Sequence, residues 1–381
     1  MRTLGFGIIG GGLMGREFVS AAARWFHLLD ADFRPEIRAV CDRNPDVLAW
    51  YRERAPAIPL LTDDWRELLA DPTVEAVYCA VPHHLHEEIY TGVLKAGKHL
   101  LGEKPFGIDL RANEAILAAA RERPDRLVRC SSEFPFYPAV QRIGRMIETE
   151  AFGPLLEVHA DFRHSSDLDP DKPINWKRMV AFNGEYGCMG DLGMHVCHVP
   201  FRAGWFPRNV RAILSKMVRT RPDGKGQRVP CETWDNATLL CEAVDPLTGN
   251  SFPLTFRTQR IAPGETNSWN LEILGMKACA RFSTKNPRRL ELLEYRPGSE
   301  QAWKSVDLGN EMAFRTLTGS IFEVGFSDVL MQMFAAFMHE WVHGRPLHRF
   351  AGCVTPEETH WSHRLFTAAL ESHRRSATVP V

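Results

Sequence analysis

The sequence predicts an α/β protein: a parallel sheet covered on both faces, followed by a second unit built around one broad sheet. Three observations carry this. Apolar runs alternate with amphipathic stretches through the first third of the chain, the pattern of a parallel sheet with helices on each side. From Leu155 the pattern changes to successive strand-like runs with few helices between them, which reads as a single wide sheet. The length, 381 residues, also exceeds what one hydrophobic core usually serves.

The elements follow in order. Leu4 to Ile9 is a short apolar strand, and Gly10-Gly11-Gly12-Leu13-Met14-Gly15 follows at once. An amphipathic helix runs on to about Leu29, and a second strand, Ile37 to Cys41, ends at Asp42. Strand, glycine turn, helix, strand and closing acid supply the context that a dinucleotide-binding G-x-G-x-x-G pattern needs. Gly10 permits the tight turn, Gly12 lets the backbone approach a pyrophosphate, and Gly15 lets the helix pack against the strand. The helix N-terminus adds free N–H groups and partial positive charge, and Leu13 and Met14 are candidate cofactor contacts beside it.

Asp42 suits the ribose hydroxyls and would repel a 2′-phosphate, so NAD is the expected cofactor. Arg43 directly after it can stack on adenine or pair with the extra phosphate, which keeps NADP as the alternative. The alternation continues with a helix at Asp64–Ala70, a strand at Ala76–Val81, a helix at Glu87–Ala96 and a strand at His99–Leu101. A helix at Leu110–Arg121 and a strand at Leu127–Ser131 complete it. Ligands of such sheets bind beyond the carboxyl ends of the strands. Two polar groups fall there: Val81-Pro82-His83-His84-Leu85-His86 and Glu103-Lys104-Pro105.

In the second unit, strands are expected at Leu155–Phe162, Val210–Val218, Trp234–Ala243, Phe252–Gln259, Trp269–Leu274 and Arg289–Tyr295. Asp167–Pro173 and Arg219–Pro230 read as polar loops, one of them edging a substrate cleft. Trp176 and Lys177 are candidate sugar contacts, an aromatic face for C–H stacking and a charged donor. His339-Glu340-Trp341-Val342-His343 matches H-E-x-x-H, but Gly344-Arg345-Pro346 ends its helix at once. His348, His360 and His363 fit no familiar zinc spacing, so this is read as a closing helix, and no metal is expected.

Composition excludes several classes. The apolar share of 44%, charged share of 24% and net charge of -1 are those of an ordinary globular protein. They give no reason to expect nucleic acid or an anionic membrane as partner. No run approaches the roughly twenty apolar residues of a membrane helix. Nine scattered cysteines without a Cys-x-x-Cys pair read as reduced thiols, and Met1-Arg2-Thr3 leads straight into the first strand, so a cytoplasmic protein is expected.

With these motifs in this order, the chain resembles the glucose–fructose oxidoreductase/inositol dehydrogenase family, often written Gfo/Idh/MocA. The likeness rests on the glycine loop, Val81–His86, Gly102–Pro105, Gly190-Asp191-Leu192-Gly193-Met194-His195 and Asn270-Leu271-Glu272-Ile273-Leu274-Gly275. It implies a Rossmann domain over residues 1–134 and an α+β domain over 135–381. The second domain's open, mostly antiparallel sheet would cover the nicotinamide. The resemblance also implies that Lys104 and His195 face substrate and nicotinamide with Asp191 nearby, and that Glu103 and Pro105 shape the turn, often through a cis bond. Val81, Pro82, His83, His86, Glu103 and Lys104 then join the cofactor contacts. Homodimers or homotetramers are the family's habit. Two departures stand out: Glu133-Phe134-Pro135-Phe136-Tyr137 lies where relatives carry an arginine, and His198, a third candidate substrate contact, stands where an acid is common.

The chemistry has its own logic. Oxidising a secondary alcohol removes a proton from oxygen as hydride leaves carbon, so a base is needed near neutral pH. Histidine suits that task, and a lysine beside it can stabilise the developing alkoxide. Asp191 and His195 lie four apart, on one helix face. His195 is therefore assigned as base, Lys104 as its electrostatic and proton-relay partner, and Asp191 as the group that orients substrate. The expected activity is hydride transfer between NAD(P) and a secondary hydroxyl of a sugar, cyclitol or glycoside. The alternatives are glycoside cleavage through transient oxidation and a non-catalytic dinucleotide sensor.

Overall fold

A computed structural model describes residues 1–309, 311–319 and 321–381. The first strands are β1 (Arg2–Ile9), β2 (Phe33–Cys41), β3 (Leu60–Thr62), β4 (Ala76–Cys79), β5 (His99–Gly102) and β6 (Val128–Cys130). They form a six-stranded sheet in the order β3-β2-β1-β4-β5-β6, parallel throughout. The order reverses at β1, so the crevice between the ends of β1 and β4 is where a ligand of such a sheet lies. The helices between these strands are α1 (Leu13–Ala23), α2 (Pro45–Arg54), α3 (Trp65–Ala70), α4 (His86–Lys95) and α5 (Leu110–Arg121). Three start on side-chain caps, from Asn44, Asp64 and Asp109. The helix at the glycine loop has none, which leaves its first N–H groups free.

After α6 (Pro138–Glu148) come β7 (Leu155–Arg163), α7 (Val180–Asn183) and α8 (Met194–Arg202). The strands then run β8 (Pro207–Ser215), β9 (Thr220–Pro222), β10 (Arg228–Pro230), β11 (Asn236–Val244), β12 (Ser251–Gln259), β13 (Ser268–Gly275), β14 (Ala278–Ser283), β15 (Arg289–Glu294) and β16 (Lys304–Asp307). Helices α9 (Phe326–His343) and α10 (Pro356–Arg375) precede the terminal β17 (Val379–Pro380). A nine-stranded sheet results, ordered β16-β15-β14-β13-β7-β12-β11-β8-β17 and antiparallel except for β12 on β7. Side chains alternate along each strand, so Val158, Ala160 and Phe162 of β7 and Leu254 and Phe256 of β12 enter the core.

Two expectations change. Arg219–Pro230, read as a loop, holds the antiparallel hairpin β9–β10. The strand expected at Val210–Val218 ends at Ser215, because the Asp235 carboxylate accepts the Val218 N–H at 2.9 Å and turns the chain away. No helix among the described residues is long and apolar enough to cross a membrane.

The chain's end returns to its beginning. α9 covers one face of the parallel sheet: Phe334 packs on Phe18 of α1 with the rings tilted (centroids 4.4 Å) and meets Tyr78 of β4 edge-on (5.2 Å). Phe334 is fully buried, and its removal would leave a cavity between helix and sheet. Phe334→Ala is expected to cost about 3–5 kcal/mol of unfolding free energy in a denaturant titration.

Candidate active site

The C-terminal ends of β1, β4, β5 and β6 meet α8 and the edge of the nine-stranded sheet around a cleft of about 640 Å³. On the cofactor side the glycine loop sets the geometry. Gly10 sits at φ 92°, and a Cβ there would stand 2.3 Å from the Ala80 carbonyl oxygen, so only glycine makes this turn. A Cβ on Gly15 would lie 2.6 Å from the Gly10 oxygen, which is how closely α1 packs on the strand. A Cβ on Gly12 would meet no described atom within 4 Å and would project into open space beside the free N–H groups of α1. That combination fits a pyrophosphate. At the end of β2 the Asp42 carboxylate accepts the Gly11 N–H (2.9 Å) and the Asn44 N–H (2.8 Å), which fixes its orientation, and Arg43 is exposed beside it.

Leu13, Met14, Val81, Pro82, His83, Glu103 and Lys104 line the cleft. His83 is buried, donates Nδ1–H to the Asn183 carbonyl at 3.2 Å and packs edge-on against Trp176 at 5.0 Å. His86, expected at the cofactor, does not reach the cleft. It is fully buried, with Nε2 donating to Val81 O (3.0 Å) and Nδ1 accepting the Gly107 N–H (3.2 Å), and so joins the two loops at the sheet's edge.

Those loops place Lys104. The Glu103 carboxylate accepts from Tyr78 (2.7 Å) and Ser131 (2.6 Å), and the Lys104–Pro105 bond is cis. From α10, His363 donates to the Pro105 carbonyl at 2.7 Å. Lys104 Nζ then donates to the Asp191 backbone carbonyl (2.7 Å) and to its Oδ1 (3.0 Å).

Asp191 lies in a π-helical turn, Met189–Gly193, that runs directly into α8. Such turns widen a helix by one residue and are frequent at functional sites. Gly193 lets this segment press on α10: a Cβ there would come within 2.4 Å of the Phe366 ring. Expected as the substrate-orienting group, Asp191 is instead only 1% exposed, and both its oxygens are taken. Lys177 donates to Oδ1 at 2.9 Å and Arg260 pairs with Oδ2. Burial would raise this carboxyl, but Lys104, Lys177 and Arg260 together hold it well below the usual range.

The same field sorts the bases. Burial opposes the Lys104 charge, yet Asp191 and then Glu103 outweigh it and raise the ammonium above its ordinary value. Lys177 is brought down to about 8, by burial and then by Lys104 and Arg260 against the pull of Asp191. Burial, and next Lys104, push His195 well below the ordinary imidazole value, so it is neutral at pH 7. Its Nδ1 lies 3.1 Å from Ser132 Oγ, and its carbonyl accepts from Trp269 Nε1 at 2.9 Å, which leaves Nε2 toward the cleft.

Trp176 and Lys177 both line the cleft. His198 does not: it is buried on α8 facing Arg202 and Glu358, which form an ion pair of their own. The H-E-x-x-H residues point elsewhere, with Glu340 accepting from Arg129 Nε (2.9 Å) and His343 lying 3.2 Å from Asp32. His164 and Arg260 line the cleft without having been singled out, and Glu133, noted only as a departure from the family pattern, lines it too. For Arg260 a signal existed, a charge at the end of an apolar strand, Phe252–Gln259, where the sheet meets its ligand side.

A dinucleotide loop joined to a buried lysine–carboxylate–histidine group defines an NAD-binding oxidoreductase. Residues 4–130 match the family model described as "Oxidoreductase family, NAD-binding Rossmann fold". Over that third of the chain the sequence is similar to the Gfo/Idh/MocA family. It is 27% identical over 317 residues to levoglucosan dehydrogenase from Pseudarthrobacter phenanthrenivorans, covering 79% of this chain and 78% of that one. It is 25% identical over 166 residues to inositol 2-dehydrogenase/D-chiro-inositol 3-dehydrogenase from Lactiplantibacillus plantarum, 44% of this chain and 45% of the relative. A solved levoglucosan dehydrogenase in complex with NADH and L-sorbose shares the fold, with TM-score 0.87, 24% identity and coverage of 100% and 99%. An oxidoreductase domain protein from Kribbella flavida does so with TM-score 0.88, 22% identity and full coverage of both chains.

The open space at Gly12 yields a test. Gly12→Ala is expected to weaken NADH binding by about tenfold or more, measured by nicotinamide fluorescence, because its Cβ enters the phosphate approach. Its melting temperature should match the parent, since that Cβ touches no described protein atom.

Proposed function

We propose that the protein oxidises a secondary hydroxyl of a polyhydroxylated ring, a sugar, cyclitol or glycoside, with His195 as the base. Bound at the glycine loop, NAD supplies the hydride acceptor. The observation that carries the reading is the meeting of Lys104 and Asp191 at 3.0 Å, beside His195, in a cleft that Leu13 and Met14 border.

The charge states of the cleft support these roles. Lys104 remains an ammonium, so it cannot take a proton; it donates to the hydroxyl oxygen and stabilises the alkoxide. His195 is neutral, so its Nε2 can accept the hydroxyl proton. Asp191 orients the substrate through its neighbours, holding Lys104 and Lys177 at fixed points of the wall. Lys177 gives a second donor for ring hydroxyls, and the Trp176 ring a face for C–H stacking. The levoglucosan and inositol dehydrogenases among the relatives support a substrate of this class. The rest of the molecule supports two further proposals, a cytoplasmic location and a homo-oligomer. Nine unpaired thiols suit the reducing cytoplasm. The outer face of the nine-stranded sheet, with Ile213 and Leu240 exposed among polar residues, suits a homodimer or homotetramer.

Sugars, cyclitols and glycosides, each offered with NAD and NADP in parallel, test the proposal through the absorbance of reduced nicotinamide. Accumulating NADH, faster than NADPH because of Asp42, is the expected result. Product release without net NADH would identify redox-neutral cleavage instead, and no turnover of any of them would contradict the reading. With a substrate in hand, Lys104→Ala is expected to lower kcat by about a hundredfold or more. An unchanged kcat would remove Lys104 from the chemistry.

A further inference from the structure

Glu133 follows β6 at the edge of the parallel sheet, buried but lining the cleft. The other two acids of the wall are occupied: Glu103 accepts from Tyr78 and Ser131, and Asp191 from Lys104, Lys177 and Arg260. Its own backbone N–H bonds the Glu133 carboxylate, and among the described residues no other residue is shown to hydrogen-bond it. Its near neighbour is the His195 ring, with Oε2 4.0 Å from Nδ1.

We propose that Glu133 is a positioning residue for His195, holding the ring hydrogen on Nδ1 and facing the positive charge that the ring acquires when Nε2 takes the substrate's proton. This rests on the reading of His195 as the base. A neutral imidazole has its hydrogen on one nitrogen, and only the Nδ1–H form leaves a lone pair on Nε2. Ser132, 3.1 Å from Nδ1, does not choose between the forms, because a hydroxyl donates or accepts equally well. An ionised carboxylate only accepts, so it does choose. The proton breaks from the substrate oxygen, rests on Nε2 as imidazolium opposite the carboxylate, and leaves to water when product departs.

The surroundings set the pH at which this works. Burial, and then Glu103, raise Glu133 to about 7 against Lys104, and Tyr78 and Tyr137 also lie near it. His195 feels Lys104, Asp191, His198 and His164 and stays neutral. Above pH 7 the pair is therefore carboxylate and neutral imidazole. Below it Glu133 gains a proton, and both the tautomer bias and the counter-charge are lost.

The test needs no substrate. In cofactor-free, ¹⁵N-histidine-labelled protein at about pH 8, long-range ¹H–¹⁵N spectra report the His195 tautomer, with the signal assigned by its loss in His195→Gln. The parent and Glu133→Asp are expected in the Nδ1–H form, and Glu133→Gln with a substantial Nε2–H population. An identical tautomer in the parent and Glu133→Gln overturns the proposal. Should Glu133→Gln fail to fold, Ser132→Ala decides: retention of Nδ1–H supports Glu133 as the determinant, and a switch to Nε2–H overturns it. With a substrate, Glu133→Gln should lower kcat about a hundredfold with KM changed less than about threefold, and lose the acid limb near pH 7 that the parent shows. Glu133→Asp should restore part of both, and an unaltered pH profile would contradict the role. If no sugar turns over, the dehydrogenase reading fails, while the tautomer result still stands or falls by itself.

Discussion

Asp191 carries its charge where water hardly reaches, and three cations converge on it from three distant parts of the chain. Lys104 arrives from the end of β5, Lys177 from the segment after the Asp167–Pro173 loop, and Arg260 from the end of β12. Without the carboxylate, three positive charges would crowd a poorly solvated wall; without the cations, the carboxylate would be an unpaired buried charge. Breaking such a group by removing one partner costs about 3–5 kcal/mol, so the arrangement holds itself together. It also ties the parallel sheet to the nine-stranded one across the cleft, which makes the spacing of the wall a property of the whole fold. Arg260 extends the network inward: its Nε donates to Asp167, which is itself completely buried.

The backbone around this group is correspondingly tight. The π-helical turn sets Asp191 and His195 along one wall, and Gly193 lets that segment press on α10. From the same helix His363 reaches the Pro105 carbonyl, so α10 braces both the carboxylate and the lysine that faces it. Trp269 of β13 holds the His195 carbonyl. The polar side chains of the cleft thus stand on rigid elements, and their charge states follow from burial and from one another: Lys104 held as a cation, His195 held neutral.

What was legible in the sequence is what depends on local pattern. The glycine loop and the acid after β2 announce themselves within a few residues, whereas Glu103–Pro105 and the pair Asp191/His195 gained meaning from their position after the strands and from the family resemblance; the topology confirms the sheet that carries the first three. The π-helical turn was not legible, since a spacing of four assumes an ordinary helix. Arg260 and Glu133 were harder still. Arg260 reaches Asp191 because β12 pairs with β7 in parallel, the one such pairing in a sheet otherwise antiparallel, and nothing local encodes that register. His86 and His198 look like site residues by their motif and by the family pattern, yet burial turns both into structural groups, one closing a loop and the other facing the Arg202–Glu358 pair.

The account stands on Asp191 as the organiser of the wall, which Asp191→Asn tests most directly because it keeps the shape and removes the charge. NADH binding by fluorescence and turnover of an identified substrate should be measured on the same preparation. NADH affinity within about threefold of the parent, with turnover reduced by about a hundredfold or more, is the expected result. Turnover equal to the parent's would contradict the account, since the lysines would then need no carboxylate to hold them in place.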